Sequence, residues 1–293
     1  PKGDGQVWRL GVIQLPAFYS SEEDGTGNST DDVREIIEKL KSKGAEGIIL
    51  DLRNNLGGLL TEAVRLTGLF ISEGPVLQLK NHFGQVAQYV DKDSRVAWTG
   101  PLLLLVNAFT ASSSEIVAGA LKDSRYARAL VVGEKTTHQK GSIQALYEID
   151  TLLEQSPLQA NKRPTYGAFK ITVQQYCPPD GNPVQGQGVA SDIVLRSIND
   201  HLPVREVDIP NSMKGEKLPS LRFEVKDREL WNKAPVTPEL IDYLKARSQQ
   251  RQASLPEFKV FHQSVDWFEE KQKIKEFSLN LAERWAQKLK DMA

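Results

Sequence analysis

Along the first two thirds of the chain, short apolar runs alternate with segments whose apolar residues recur at helical spacing. Val7 to Leu15 reads as a strand. Val33, Ile36, Ile37 and Leu40 fall on one face of a helix, and Gly47 to Leu52 is a continuous run of the kind that forms a buried strand. This is a β-α-β pattern. A second helix carries Leu59, Ala63, Val64 and Leu66 up to Phe70; strands near 76–80 and 85–90 and the fully apolar strand 102–106 follow. A helix at about 113–123 and a strand at 129–133 come next. Strands near 142–149 and 168–176 flank a Pro- and Asn-containing loop, 155–166, and Asp192 to Leu195 forms a last short strand. Continuous apolar strands separated by helices predict an α/β core, a mostly parallel or mixed sheet covered on both faces.

From residue 199 the pattern changes. Residues 1–198 hold 42 charged side chains, whereas the 95 residues of 199–293 hold 33, and this rise in density places a boundary near 198. The tail is broken by Pro203, Pro210, Pro219, Pro235, Pro238 and Pro256, then reads as two helical stretches, 237–251 and 264–290. Ile274, Phe277, Leu281 and Trp285 form one apolar stripe on the second stretch, which packing within the chain or a subunit contact would cover.

Composition narrows the field. In 293 residues, 37 Lys and Arg balance 38 Asp and Glu, so no whole-chain field draws nucleic acid or an anionic membrane surface. Cys177 is the single cysteine, and His82, His138, His201 and His262 are too scattered to form a zinc motif. The longest apolar run, Leu102 to Val106, is far short of the roughly 18 residues that span a bilayer. The opening PKGDGQ is no signal peptide.

Three segments offer chemistry. Asp51 to Gly58 (DLRNNLGG) joins a strand to a helix, and its paired glycines allow a sharp turn that exposes backbone N–H groups; an Asn-rich helix cap is the plainer reading. Asn107 to Glu115 (NAFTASSSE) follows the strongest strand and precedes a helix, a position suited to a nucleophile, yet Ser112 with Glu115 also spells a capping box. Gly133 to Gln144 supplies two candidate bases, His138 and Lys140; a lysine works as a base only when its amine is partly neutral, and a solvated surface lysine is the alternative. Extended backbone would put Lys140, Ser142 and Gln144 on one face.

In this order and spacing the motifs LRNNLGG (52–58), VNAFTASSSEIVAGAL (106–121), ALVVGEKTTHQKGSIQ (129–144) and GQGVASDIVL (186–195) resemble the C-terminal processing peptidases, or tail-specific proteases, serine endopeptidases with a Ser–Lys dyad. The resemblance implies a Clp-protease and crotonase-like core, a mixed sheet flanked by helices over 1–198, and a charged, mainly helical C-terminal extension over 199–293. Carried over by motif position, Ser112 is the nucleophile, Lys140 the general base and Gln144 the residue that orients the lysine amine. The backbone N–H groups of Ser113 and Gly57 would form the oxyanion hole. No cofactor and no metal are needed, the partners are polypeptide substrates, and self-association through the C-terminal helices is an option. The family also implies an extracytoplasmic, bacterial periplasmic location, with any export signal upstream of Pro1.

Two departures stand out. The family usually has glycine at the position of Gln139, and the stretch from Ser112 to Lys140 runs slightly longer here, with extra residues near Ser124 to Arg128 and around His138. Family members usually carry a PDZ domain as well; none is visible in this chain, which starts where that module would just have ended. Three rival readings remain at this stage: an inactive peptide-binding module on the same fold, a crotonase-like enzyme acting on acyl thioesters, and a triad built on His138.

Overall fold

The computed structural model describes residues 7–21, 27–149 and 166–292. Its centre is a five-stranded, all-parallel sheet in the order β1 (Leu10–Gln14), β4 (Gly47–Asp51), β7 (Leu102–Val106), β8 (Leu130–Gly133), β11 (Ile193–Val194). The apolar strands took these positions for a physical reason. A parallel sheet needs a crossover between each pair of neighbours, so its inner strands are covered and must be apolar throughout. Leu50 and Leu104 accordingly have no exposed surface. The edge strand β1 instead buries Gly11 and Ile13 and leaves Leu10 and Val12 exposed.

Between these strands run α1 (Ser29–Ser42), α2 (Leu60–Thr67) and α3 (Ser113–Lys122). Asn28 caps α1 by accepting from Asp31 N–H, and the helix turns Val33 and Ile37 inward. Residues Ser113 to Leu121 of α3 are all buried, as expected of a helix enclosed by the core. Each fully buried Leu, Ile or Val contributes roughly 1.5–3 kcal/mol to folding.

The antiparallel pairings fall in a second sheet, ordered β6 (Val86–Asp91), β5 (Gly74–Asn81), β10 (Ala168–Cys177), β9 (Ser142–Glu148). A two-stranded ribbon, β2 (Ser20–Ser21) with β3 (Gly27–Asn28), was not foreseen from the sequence. The expected loop over 155–166 lies outside the described residues except for Tyr166.

The extension begins with 3-10 turns at Ile198–His201 and Glu206–Asp208 and crosses the core as irregular chain. Leu218 N–H donates to Gly181 O, Lys233 N–H to Thr99 O and Val236 N–H to Ala127 O. Trp231, on the short helix α4 (Arg228–Trp231), is buried in the same hydrophobic cluster as the sheet. The segment 199–236 therefore shares the hydrophobic core of the sheets instead of standing apart. Beyond it come α5 (Pro238–Ser254), which packs on β11, and α6 (Pro256–Lys273), which packs on α5 and on the first 3-10 turn.

The expected single helix over 264–290 is corrected: α6 starts earlier, at Pro256, and ends at Lys273, and α7 (Leu281–Met292) is separate. Asn280 Oδ1 accepts from Ala282 N–H at 2.9 Å, so a polar side chain competes for the backbone and restarts the helix. The stripe Ile274, Phe277, Leu281, Trp285 therefore does not lie on one helix, and all four side chains are exposed. No helix among the described residues is long and apolar enough to cross a membrane.

Gly133 ends β8, directly opposite Val106, at φ +152°. A Cβ there would lie 1.9 Å from Val106 O. Gly133→Ala is expected to lower stability by more than about 2 kcal/mol, through a clash no rotamer relieves, and an unchanged urea midpoint would contradict this placement.

Candidate active site

The three chemical segments leave the carboxyl ends of three adjacent strands, β4, β7 and β8, the edge at which parallel α/β sheets bind ligands. Strand order therefore brings together residues separated by up to about eighty positions in the chain. The first two segments are stitched by side chains. Thr110 Oγ1 donates to Leu52 O at 2.9 Å, Asn107 Nδ2 donates to Asn54 Oδ1 at 2.8 Å, and Asn54 N–H donates back to Asn107 Oδ1 at 3.0 Å. Ala111 N–H donates to Asn55 O at 2.9 Å.

Ser112 heads α3 with φ +58° and ψ −117°, a conformation that non-glycine residues rarely adopt. The expected capping box is present as well, and Glu115 Oε2 accepts from Ser112 N–H at 2.9 Å. Capping and a strained serine coexist here. The same Oε2 accepts from Lys140 N–H at 3.0 Å. Glu115 Oε1 accepts from Gln139 N–H at 2.7 Å and from Thr137 Oγ1 at 2.5 Å. One buried carboxylate thus ties the serine segment to the lysine segment.

Tyr176, on β10, adds a second tie. Its Oη lies 3.0 Å from Ser112 O and 2.8 Å from Lys140 O, with one proton to donate between them. Burial pushes the phenol well above its ordinary pKa, and the Glu115 charge adds to this, so it remains a donor. Burial also pushes Glu115 up to about 7, against the opposing pull of its four donors. In sequence Glu115 read as no more than a cap, and Tyr176 carried no signal at all.

The side chains of the expected dyad do not bond to each other in this conformation. Among the described residues no hydrogen bond links Lys140 Nζ to Ser112 Oγ or to Gln144, and no carboxylate lies within ion-pair distance of Lys140 Nζ. Lys140 precedes β9 instead of belonging to it, and Gln144, within β9, is exposed. His138 is turned elsewhere: its Nδ1 lies 3.1 Å from Ala108 O and its Nε2 4.0 Å from Glu206 Oε2. Gln139, at φ +76°, holds the left-handed conformation in which glycine is easier.

The oxyanion expectation changes in one part. Gly57 N–H already donates to Asn55 Oδ1 at 2.9 Å and is not free. Gly57 is needed for space: at φ +102°, a Cβ would meet Ser112 Cβ at 2.7 Å and Ala111 O at 2.9 Å. Its neighbour Gly58, at φ +146°, pairs with Phe18, which is bonded by Gly57 O and Leu59 N–H. Gly58 O accepts from Ser113 Oγ at 2.9 Å. Among the described residues, the N–H groups of Ser113 and Gly58 make no hydrogen bond.

Residues 9–195 match peptidase family S41. The chain belongs to that family. Residues 200–293 match the C-terminal domain of tail specific protease, so the two matches meet where the charge density rises. The tail-specific protease of Haemophilus influenzae is 33% identical over 287 residues, 97% of this chain and 38% of the relative. The carboxyl-terminal-processing protease of Synechocystis is 34% identical over 187 residues, 64% of this chain and 38% of the relative. This chain therefore spans 38% of the length of each of these two curated relatives. Among solved structures, the photosystem II D1 C-terminal processing protease superposes with a TM-score of 0.53 at 30% identity, covering 67% of this chain and 44% of the other. The α/β class expected from the apolar pattern is thus that of the S41 peptidases.

Because the Glu115 carboxyl holds its proton more tightly in the folded chain, its contribution to stability is complete below about pH 4.5 and is lost as pH rises through about 7. Unfolding of the parent and of Glu115→Gln, compared between pH 4 and 8, should show the parent losing stability relative to the variant across this window, by an amount on the order of a few kcal/mol. An amide offers one oxygen acceptor and an NH2 group that only donates, so in Glu115→Gln the NH2 would face N–H groups. A pH-independent difference in stability would refute the assignment of the shift to Glu115.

Proposed function

We propose that this chain is a serine endopeptidase that hydrolyses peptide bonds in polypeptides near unstructured C-termini, with Ser112 as nucleophile and Lys140 as general base. The observation that carries this reading is the shared carboxylate: Glu115 Oε2 binds the main-chain N–H of both residues and fixes their spacing. Gln144 is the proposed orienting residue for the amine, and Ser113 N–H with Gly58 N–H the proposed oxyanion donors. Closure of the dyad takes place by rotation of the flexible lysine stem toward Ser112 when a substrate excludes water, since catalytic hydrogen bonds are often open in the free enzyme. Exposed Leu56 and Leu59, on either side of the glycine pair, offer apolar surface for substrate side chains.

Neutral Lys140 takes the Ser112 hydroxyl proton as Oγ attacks the scissile carbonyl carbon. The resulting oxyanion is met by backbone donors, commonly worth a few kcal/mol each in acyl transfer. The tetrahedral species collapses, and the leaving amine takes its proton from Lys140. Water, deprotonated by Lys140, then releases the acyl group and restores Ser112. We place the protein outside the cytoplasm by analogy with its family.

Ser112→Ala and Lys140→Ala are each expected to lower turnover of an unfolded protein with an apolar C-terminus by about three orders of magnitude or more. The parent's rate should rise with pH as the amine loses its proton. Cleavage by Ser112→Ala at the parental rate would remove the nucleophile assignment. A pH profile without a basic limb would remove the lysine.

A further inference from the structure

The loop that delivers Ser112 is held by a second set of bonds, and these originate in the extension. Ala108 N–H donates to Glu134 Oε2 at 2.7 Å, and Ala108 O lies 3.1 Å from His138 Nδ1. Both polar atoms of one peptide position are thus held by side chains from the segment after β8. Both residues are in turn held by residues at the start of the extension. Glu134 Oε1 accepts from Asn199 Nδ2 at 2.8 Å. Arg205, paired with Asp200 at 2.9 Å, brings its guanidinium to 4.0 Å from Glu134 Oε2. On the other branch, Glu206 N–H donates to His138 O at 2.9 Å, and His138 N–H donates to Thr110 O at 2.9 Å. Glu206 Oε2 also lies 4.0 Å from His138 Nε2.

These bonds are sheltered, since Glu134 and Arg205 are each only 9% exposed. A hydrogen bond to a charged group in such a setting contributes more than a neutral one at the surface. They are also placed where they matter. Ser112 holds a positive φ that surrounding structure must maintain, and Ala108 stands at the far end of the loop that leads into it.

The geometry points to the first turns of the extension as a positioning element of the active site: Asn199 and Glu206 hold Glu134 and His138, which fix the Ala108 peptide and through it Ser112. The inference rests on Ser112 being the nucleophile. Glu134 and His138 touch neither substrate nor reacting atoms in this scheme and are positioning residues. A nucleophile misplaced by about 1 Å costs up to about a hundredfold in rate, so a loosened loop acts on turnover and not on substrate affinity.

The test uses the full chain with Asn199→Ala, Glu134→Ala, the double variant and His138→Ala. Two readouts are taken: acylation of Ser112 by a fluorescent β-lactone probe together with kcat and KM on an unfolded protein, and amide hydrogen exchange over residues 107–112. Glu134→Ala is expected to slow acylation and kcat about tenfold or more, with KM unchanged. Asn199→Ala should slow them about threefold, and the double variant should match Glu134→Ala alone, because both act through one carboxylate. His138→Ala should lower kcat but keep the basic limb of the pH profile, which loss of a general base would not. Exchange over 107–112 should quicken in every variant. If Glu134→Ala fails to fold, Asn199→Ala alone carries the test, as it leaves the Ala108 bond in place. Parental acylation with parental exchange in Asn199→Ala overturns the proposal, as does faster exchange with unchanged acylation. A parent that the probe does not label at Ser112, with exchange still faster in Asn199→Ala, overturns the peptidase reading while the clamp on the loop stands.

Discussion

A carboxylate withdrawn fully from water loses several kcal/mol of hydration, and it persists only where donors converge on it. At Glu115 those donors are the backbone of Ser112, Gln139 and Lys140 and the hydroxyl of Thr137. Much of the surrounding geometry follows from this one requirement. The segment 137–140 must turn three of its polar groups toward one side chain, and Gln139 is driven into a left-handed conformation to do so. Ser112, at the head of the same helix, is held at a positive φ of its own. Tyr176 closes the arrangement from the second sheet by touching the carbonyls of the same two residues whose N–H groups Glu115 binds. Strain at the serine and satisfaction of the buried charge are thus two sides of a single local structure.

The sheet explains why such a cluster can exist. Parallel strands release their carboxyl ends on one edge, so β4, β7 and β8 deliver a glycine turn, a serine helix and a lysine segment to neighbouring points. The extension docks at both ends of β8, on residues 125–127 before the strand and on His138 after it. Asn232 Nδ2 donates to Tyr126 O and Ala127 O, Arg125 donates to Leu221 O, and Glu206 N–H donates to His138 O. A charged tail that looks separable in composition is bound into the core through main-chain atoms that composition does not reveal.

How far the sequence could be read differs from residue to residue. The inner strands were legible because an all-apolar run such as Leu102 to Val106 has one stable fate in a protein of this size, and the helices with a clear apolar stripe were legible for the same reason. The site was legible as motifs, since strand, turn and helix follow one another at Asp51 to Gly58 and at Asn107 to Glu115. The second helix of the tail was misjudged because its apolar spacing continued through Ser278 and Asn280, whose local hydrogen bonds to the backbone outweigh periodicity. Gly57 was misjudged because its N–H is engaged by Asn55 only two residues away, a side-chain choice that spacing does not show.

The sequence by itself determined the α/β class, the order of the elements and the residues proposed here to carry acyl transfer, because hydrophobic period and residue chemistry are local properties. Tertiary structure alone decided which donors meet Glu115, what takes the Gly57 N–H, where His138 points and that the extension bonds Glu134 and His138, which hold the loop before Ser112. Those outcomes depend on atoms distant in the chain being brought within about 3 Å of one another, and hydrogen-bond strength falls too steeply with distance for any linear pattern to encode it.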